Sequence, residues 1–298
     1  MKKKFIITII LFITLGLSAR VIEVKVPAMP TDTLNAYANF SEKEINESST
    51  IVKSRNFPDL FWTLNDSGDS ARIFPFNANG EAYYPEWDNS NSEIRIPDAV
   101  NIDWESMTAD DKGNLIIGAC GNNTNMRRDL ALYVVPEPTP TQANKTRVLK
   151  TIFFRYPDQE AYPPEKRNFD CEAIFFAKGK YYLLSKHRSD SHTKLYRLDK
   201  MESNEINELT LISEFDIQGM VTDADASIDG KRLAVLTYNN IWLFEADTPE
   251  EFFTGKISYK EISAKQCEAI CFDNDDLLIT NEQTEIFRLP ISALTKIK

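Results

Sequence analysis

Five segments of this chain repeat one pattern, and that repetition limits the fold more than any other feature. Each carries an acidic residue, a short run of small or apolar residues, a turn rich in Gly, Asp or Asn, an apolar strand, a polar loop and a further strand. The segments open at Glu47-Ser-Ser-Thr-Ile-Val, Trp104-Glu105-Ser-Met-Thr, Cys171-Glu172-Ala-Ile-Phe, Ala224-Asp225-Ala-Ser-Ile and Cys267-Glu268-Ala-Ile-Cys. The turns that follow, such as Lys178-Gly179-Lys180 and Asp229-Gly230-Lys231, use residue types that tolerate positive φ and mark hairpins. Short apolar strands then recur, Leu115-Ile-Ile-Gly and Leu233-Ala-Val-Leu among them. The repeat spacing of roughly 40–70 residues is that of propeller blades with loop insertions. The expected fold is an all-β propeller of five blades, with six as the alternative. An open β-sandwich also gives many short strands, but it does not explain an acid recurring at one place in each repeat.

The ends of the chain agree with a closed ring. A fourth strand follows four of the segments, at residues 93–96, 151–156, 211–215 and 258–262, whereas the last segment lacks one. The stretch Ala36-Tyr-Ala-Asn-Phe40 lies ahead of the first segment with no partner of its own. Pairing it with residues 285–289 closes the ring and removes two open edges. The organisation expected is an export signal at 1–19, an extension at 20–35 and a single propeller domain at 36–298. Residues 209–215 and 248–253 are each expected to hold a helical turn at most.

The amino terminus gives the compartment. Lys2, Lys3 and Lys4 precede an apolar run at 5–17, and Ser18 and Ala19 offer small residues for cleavage. That run is short for a membrane span of about 20 residues, and no later stretch is apolar enough to make one. A secreted or periplasmic protein without stable membrane insertion is expected after cleavage. The formal charge of −11 disfavours nucleic acid and anionic membranes as partners. Cys120, Cys171, Cys267 and Cys271 form no zinc motif. Cys267 and Cys271 stand about 13 Å apart along one strand face, too far to bridge. Buried thiols or a single disulfide are the expected states.

In a propeller the first strand of each blade lines the central channel. Glu47, Glu105, Glu172, Asp225 and Glu268 stand at the starts of such strands and are expected to converge on one channel mouth. Carboxylates so close cannot all ionise without compensation, so either some hold protons or a hard cation neutralises them. Calcium, with six to eight oxygen ligands in flexible geometry, suits such a ring. The alternative is that two or three of these acids cap strands. Asn65, Asp66, Asn123, Lys186, His187, Arg188 and Asn281 lie on the adjoining loops as candidate ligand-binding residues, and the same loops carry Asn122, Tyr238, Asn239, Asn240 and Glu282. Asp103, Asp170 and Asp223 each stand two residues before a ring acid, on the same strand face. Arg72, Arg127 and Arg128 are further bases nearby.

Glu47-Ser-Ser-Thr-Ile-Val-Lys-Ser-Arg, Leu60-Phe-Trp-Thr-Leu-Asn-Asp-Ser-Gly68, Asp103-Trp-Glu-Ser-Met and the stretch from Arg128 to Tyr133-Val-Val-Pro-Glu-Pro138 together resemble a group of poorly characterised exported bacterial β-propellers. The resemblance covers most of the mature chain and implies the fold. In that group a loop often reads Gly-Asp-Ile-Gly-Asp-Asn; this chain has Gly118-Ala-Cys-Gly-Asn-Asn123, two acids fewer. More distantly, the Glu ring is similar to that of the five-bladed calcium-activated nucleotidases (apyrases), and the Asp-x-Glu starts resemble those of esterase-like phytase propellers. Neither likeness transfers a catalytic residue.

Two functions follow as expectations. One is a binding or scaffold propeller with a channel cation, its face holding a small molecule, glycan or protein. The other is a metal-dependent phosphoric or carboxylic ester hydrolase acting at the same mouth. Only His187 and His192 are available for a Ser-His-Asp triad, and no Gly-x-Ser-x-Gly, Walker or His-Glu-x-x-His motif is present. Metal-activated water is therefore the simpler chemistry for an enzyme.

Overall fold

The computed structural model describes residues 21–66 and 68–298, so the expected export signal at 1–19 lies outside the described residues. Five antiparallel sheets stand around a central channel. The first blade is Ser48–Lys53, Phe61–Asn65, Arg72–Phe76 and Ile94–Arg95, from the channel outward. The second is Ser106–Ala109, Asn114–Ala119, Ala131–Pro136 and Lys150–Arg155. The third is Asp170–Ala177, Lys180–Lys186, His192–Leu198 and Thr210–Asp216. The fourth is Val221–Ala226, Arg232–Thr237, Asn240–Glu245 and Lys256–Ser263. The fifth is Cys267–Asp273, Asp276–Asn281, Glu285–Pro290 and Ala38–Asn39. The fold is the five-bladed propeller that the repeat predicts.

The last strand of that fifth blade comes from the other end of the chain. Asn39 pairs with Glu285 and Ala38 with Ile286, so the seam closes where the missing fourth strand required it. Phe40 then packs edge-on against Phe76 of the first blade, ring centroids 5.0 Å apart.

Each inner strand is tied to its neighbour by a hairpin. Between Ala177 and Lys180 the turn residues Lys178 and Gly179 have φ of 51° and 80°, the left-handed pair that matches strand twist. Apolar side chains fill the five wedges between successive blades. Trp242, Phe215 and Phe175 fill the wedge of the third and fourth blades, and Trp62 and Trp104 that of the first and second. Each such ring, once fully buried, contributes roughly 1.5–3 kcal/mol.

Outer edges are covered by short added strands. Val21–Ile22 runs parallel to Thr210–Asp216, and Asp32–Thr33 runs parallel to Lys256–Ser263. Thr295–Lys296 joins that same fourth-blade edge in antiparallel sense, and Asn207–Glu208 covers the second blade. These pairings occupy backbone groups that would otherwise template aggregation. Residues 210–216 are a strand rather than a helical turn, because the third blade needs its outer member there. A 3-10 helix does form at Pro249–Thr254 and buries Phe252 and Phe253. All four cysteines are free, buried thiols.

Candidate functional site

The channel mouth is shaped by a recurring bulge. Ladder register skips one residue between Ser48 and Thr50, Cys171 and Ala173, Val221 and Asp223, and Cys267 and Ala269. The extra residues are Ser49, Glu172, Thr222 and Glu268. In the second blade Glu105 holds the equivalent place, its N–H donating to the Gly118 carbonyl that also faces Ser106. A bulge re-aims one side chain while leaving the flanking pairs intact. Ser49, Glu105, Glu172 and Glu268 all line one cavity of 170 Å³, together with Glu47, Asp66, Asn123, Lys186, Arg188, Tyr238, Gln266 and Glu282.

Four of the five expected ring acids thus reach this mouth, Glu47 as an exposed rim residue. Asp225 does not. It lies three residues beyond its bulge and lines a cavity with Lys53, Arg55 and Arg232, a separate set of residues. The reason is register: the bulge position of the fourth blade is held by Thr222, so no acid of that blade turns into the mouth.

The tightest grouping is Asp66, Asp103 and Glu105, each offering an oxygen within 4.8 Å of the others. Gly121 passes directly beneath them. A Cβ there would lie 2.5 Å from Asp103 Oδ2 and 2.7 Å from Glu105 Oε1, so only glycine leaves the carboxylates their space. Burial, then Glu172, Asp66 and Asp103, push the Glu105 carboxyl well above the usual range. Burial, Asp66 and Asp170 raise Asp103 as well, and a hydrogen bond with Glu105 draws it partly back.

A basic pair stands beside them. Lys186 Nζ lies 3.3 Å from Glu172 and 3.1 Å from the Tyr238 hydroxyl, and Arg188 lies 2.7 Å from Asp170 and 3.7 Å from Glu172. Burial draws Lys186 down, but Glu172 and Tyr238 raise it by more, so it stays charged. Burial and Asp170 push Glu172 upward against Lys186 and Arg188. Lys186 and Arg188 both lie against Glu172, whereas no base is in ion-pair contact with Glu105 among the described residues. Burial raises Glu268 too, against the pull of Lys186. Glu282, raised by burial and by Glu47, accepts a hydrogen bond from Gln266.

The remaining candidates hold the frame. Asn65 accepts the N–H groups of Asn46 and Glu47 and donates to the Glu44 carbonyl. Asn281 accepts from Gln283 and Glu285 and donates to Ala264. Asp170 accepts the Asn122 N–H at 2.5 Å as well as Arg188. Asp223 is built into the blade wall. Lys186 and Arg188 line the mouth, but His187 between them is buried and bonds Asp190 through Nδ1 at 2.6 Å. Of the further bases, Arg72 is tied to Asp69 and Glu93, Arg127 holds the Gly121 and Ala119 carbonyls, and Arg128 stacks on Tyr162. Tyr238 and Glu282, on the expected loops, line the mouth as well, whereas Gly121 and Gln266 escaped the sequence reading of the site.

Fold and site together define a five-bladed β-propeller whose channel opens on an acidic mouth flanked by two bases. No protein-family model matches the chain, and no curated protein matches it. Among solved structures, a chain in a crystal structure of the mitotic checkpoint complex is similar over 82% of this chain and 64% of that one, at 10% identity and a TM-score of 0.39. A likeness that remote carries no argument about function.

Proposed function

We propose that this is an exported binding or scaffold propeller whose acidic mouth holds a divalent cation, calcium by its donor set. The convergence of Asp66, Asp103 and Glu105 oxygens within 4.8 Å carries the reading. The donors fit a hard cation: all are oxygens, Asn123 and Glu172 line the same cavity, and Gly121 keeps the space beneath the carboxylates open. At the bulge position of the fourth blade, Thr222 has a buried hydroxyl without a hydrogen-bond partner among the described residues. A cation would relieve the mutual repulsion that now raises Glu105. The face around the mouth would then hold a small molecule, glycan or protein in a periplasmic or extracellular setting.

Thermal unfolding with calcium and with chelator tests this. Calcium should raise the melting temperature, by about 2.7 kcal/mol of stability when free ion is 100 times the dissociation constant. Identical melting in both conditions sinks the cation.

A second reading is a metal-dependent phosphoric or carboxylic ester hydrolase. Lys186 and Arg188 line the same cavity as the carboxylates, where they would orient an anionic ester. The resemblance to phytase-like and nucleotidase propellers supplies the substrates to try: phytate, nucleotides and simple esters, with and without added metal. Turnover abolished by chelator would favour this reading over the first.

A further inference from the structure

Asp225, displaced from the acidic mouth, marks a second cavity of 280 Å³ with the opposite character. Its lining includes three bases, Lys53, Arg55 and Arg232, against one acid, Asp225, among the described residues. Lys53 is neutralised by Asp273 at 2.5 Å. Neither arginine forms an ion pair among the described residues, and only longer-range attraction from Asp225 on Arg55 and from Asp229 on Arg232 offsets their charge. Each instead lies over an aromatic ring, Arg55 over Phe176 and Arg232 over Phe272, both at 5.2 Å to the centroid.

Two arginines without an ion pair facing one cavity are unusual in a chain with 45 acidic and 34 basic residues. Ring stacking restrains the guanidinium planes while leaving their N–H edges free to donate. A guanidinium fork matches a carboxylate bidentately. Asp225 is the one acid of this lining; its Oδ2 accepts the Phe272 N–H at 2.9 Å, and it forms no ion pair with either arginine. Val52, Ala226 and Phe272 give the cavity apolar wall, and its volume falls just under the roughly 300 Å³ at which ligand pockets usually start, so its ligand must be small.

We propose that this second cavity is a binding site for a small organic carboxylate with an apolar body, its carboxylate held by Arg55 and Arg232 and its body against Phe272. The ligand is independent of the cation at the acidic mouth.

Titration calorimetry on the full chain at neutral pH tests it, with benzoate, its neutral counterpart benzamide, and inorganic phosphate as probes. Benzoate should bind saturably, and benzamide and phosphate should each bind at least about tenfold more weakly, one lacking the charge and the other the apolar body. R55Q and R232Q should each weaken benzoate by about tenfold, with melting temperatures confirming that the variants fold. No saturable benzoate binding by the unaltered chain up to ~10 mM overturns the proposal without recourse to any variant. Equal binding of benzoate and benzamide removes the arginines from it, and phosphate binding as tightly as benzoate removes the apolar body.

Discussion

The carboxylate of Asp223 accepts the backbone N–H of Ile270 across the boundary between the fourth and fifth blades, at 3.0 Å. The same position, one residue past the bulge, does similar work elsewhere. Thr50 takes the N–H of Met107 and Ser106 that of Ile174, each reaching into the next blade. Burial pushes Asp223 well above the usual carboxylate range, so it acts as a neutral acceptor. D223A should therefore cost about 1–3 kcal/mol by stranding a buried N–H, while D223N, which keeps an acceptor without charge, should cost less. Chemical denaturation of the three proteins checks the order, and equal losses in both variants would remove the latch.

Closure of the seam can be probed through Phe40, which is 8% exposed. F40A leaves a cavity between the fifth and first blades and should cost about 3 kcal/mol. W87A, at a side chain that is 60% exposed, should stay within about 0.5 kcal/mol of the unaltered chain. If the two variants melt together, the amino-terminal strand does not close the ring.

At the acidic mouth, E105Q removes charge while keeping shape. In chelator it should be neutral or stabilising, because repulsion from Glu172 and Asp66 falls. With calcium present it should lower the melting temperature by removing a ligand. The reversal of sign between the two conditions is the measurement, and a plain surface carboxylate would not give it.

G121A tests the same site through the backbone. Its methyl would displace the Asp103 and Glu105 carboxylates rather than any backbone atom, so the fold should survive. Calcium affinity should fall by at least about tenfold, since ligand geometry is lost. Retained affinity in a folded G121A would place the ion elsewhere.

Asp225 sets a pH dependence. Burial raises its carboxyl to about 6, against the Phe272 N–H and Arg55, with Asp223 and Cys271 as its other titratable neighbours. The folded state then holds a proton that the unfolded chain releases near pH 4. This group's contribution to stability is full below about 4 and is lost as the pH rises through about 6. D225N should lose that slope, gaining on the unaltered chain by on the order of 2 to 3 kcal/mol across the window. Parallel stability curves for the two proteins would refute the assignment.

Blade number and seam were readable because they depend on repeats and on strand supply, both of which are properties of sequence order. Among the ring acids, membership was secure only where the acid occupies the bulge. Glu105, Glu172 and Glu268 do, and each was found. Glu47 falls two residues short of Ser49 and Asp225 three beyond Thr222, and the spacing to a neighbouring small residue does not reveal which residue the ladder will skip. Asp103 was placed as a neighbour of the ring, yet it belongs to the tightest carboxylate group. That depends on Gly121, in a loop brought close by the hairpin of Ser106–Ala109 and Asn114–Ala119. The edge strands at Val21–Ile22 and Asp32–Thr33 are two residues long, too short to carry any periodicity.

The seam between Asn39 and Glu285 also fixes when the molecule can finish folding. Translation delivers Ala38–Asn39 long before Glu285–Pro290, at a pace of roughly 5–20 residues per second. For more than ten seconds of synthesis at that pace, the first half of the seam exists without the second, and the ring stays open. A ring open in this way carries two unpaired strand edges, and its locking step waits until Glu285–Pro290 has emerged.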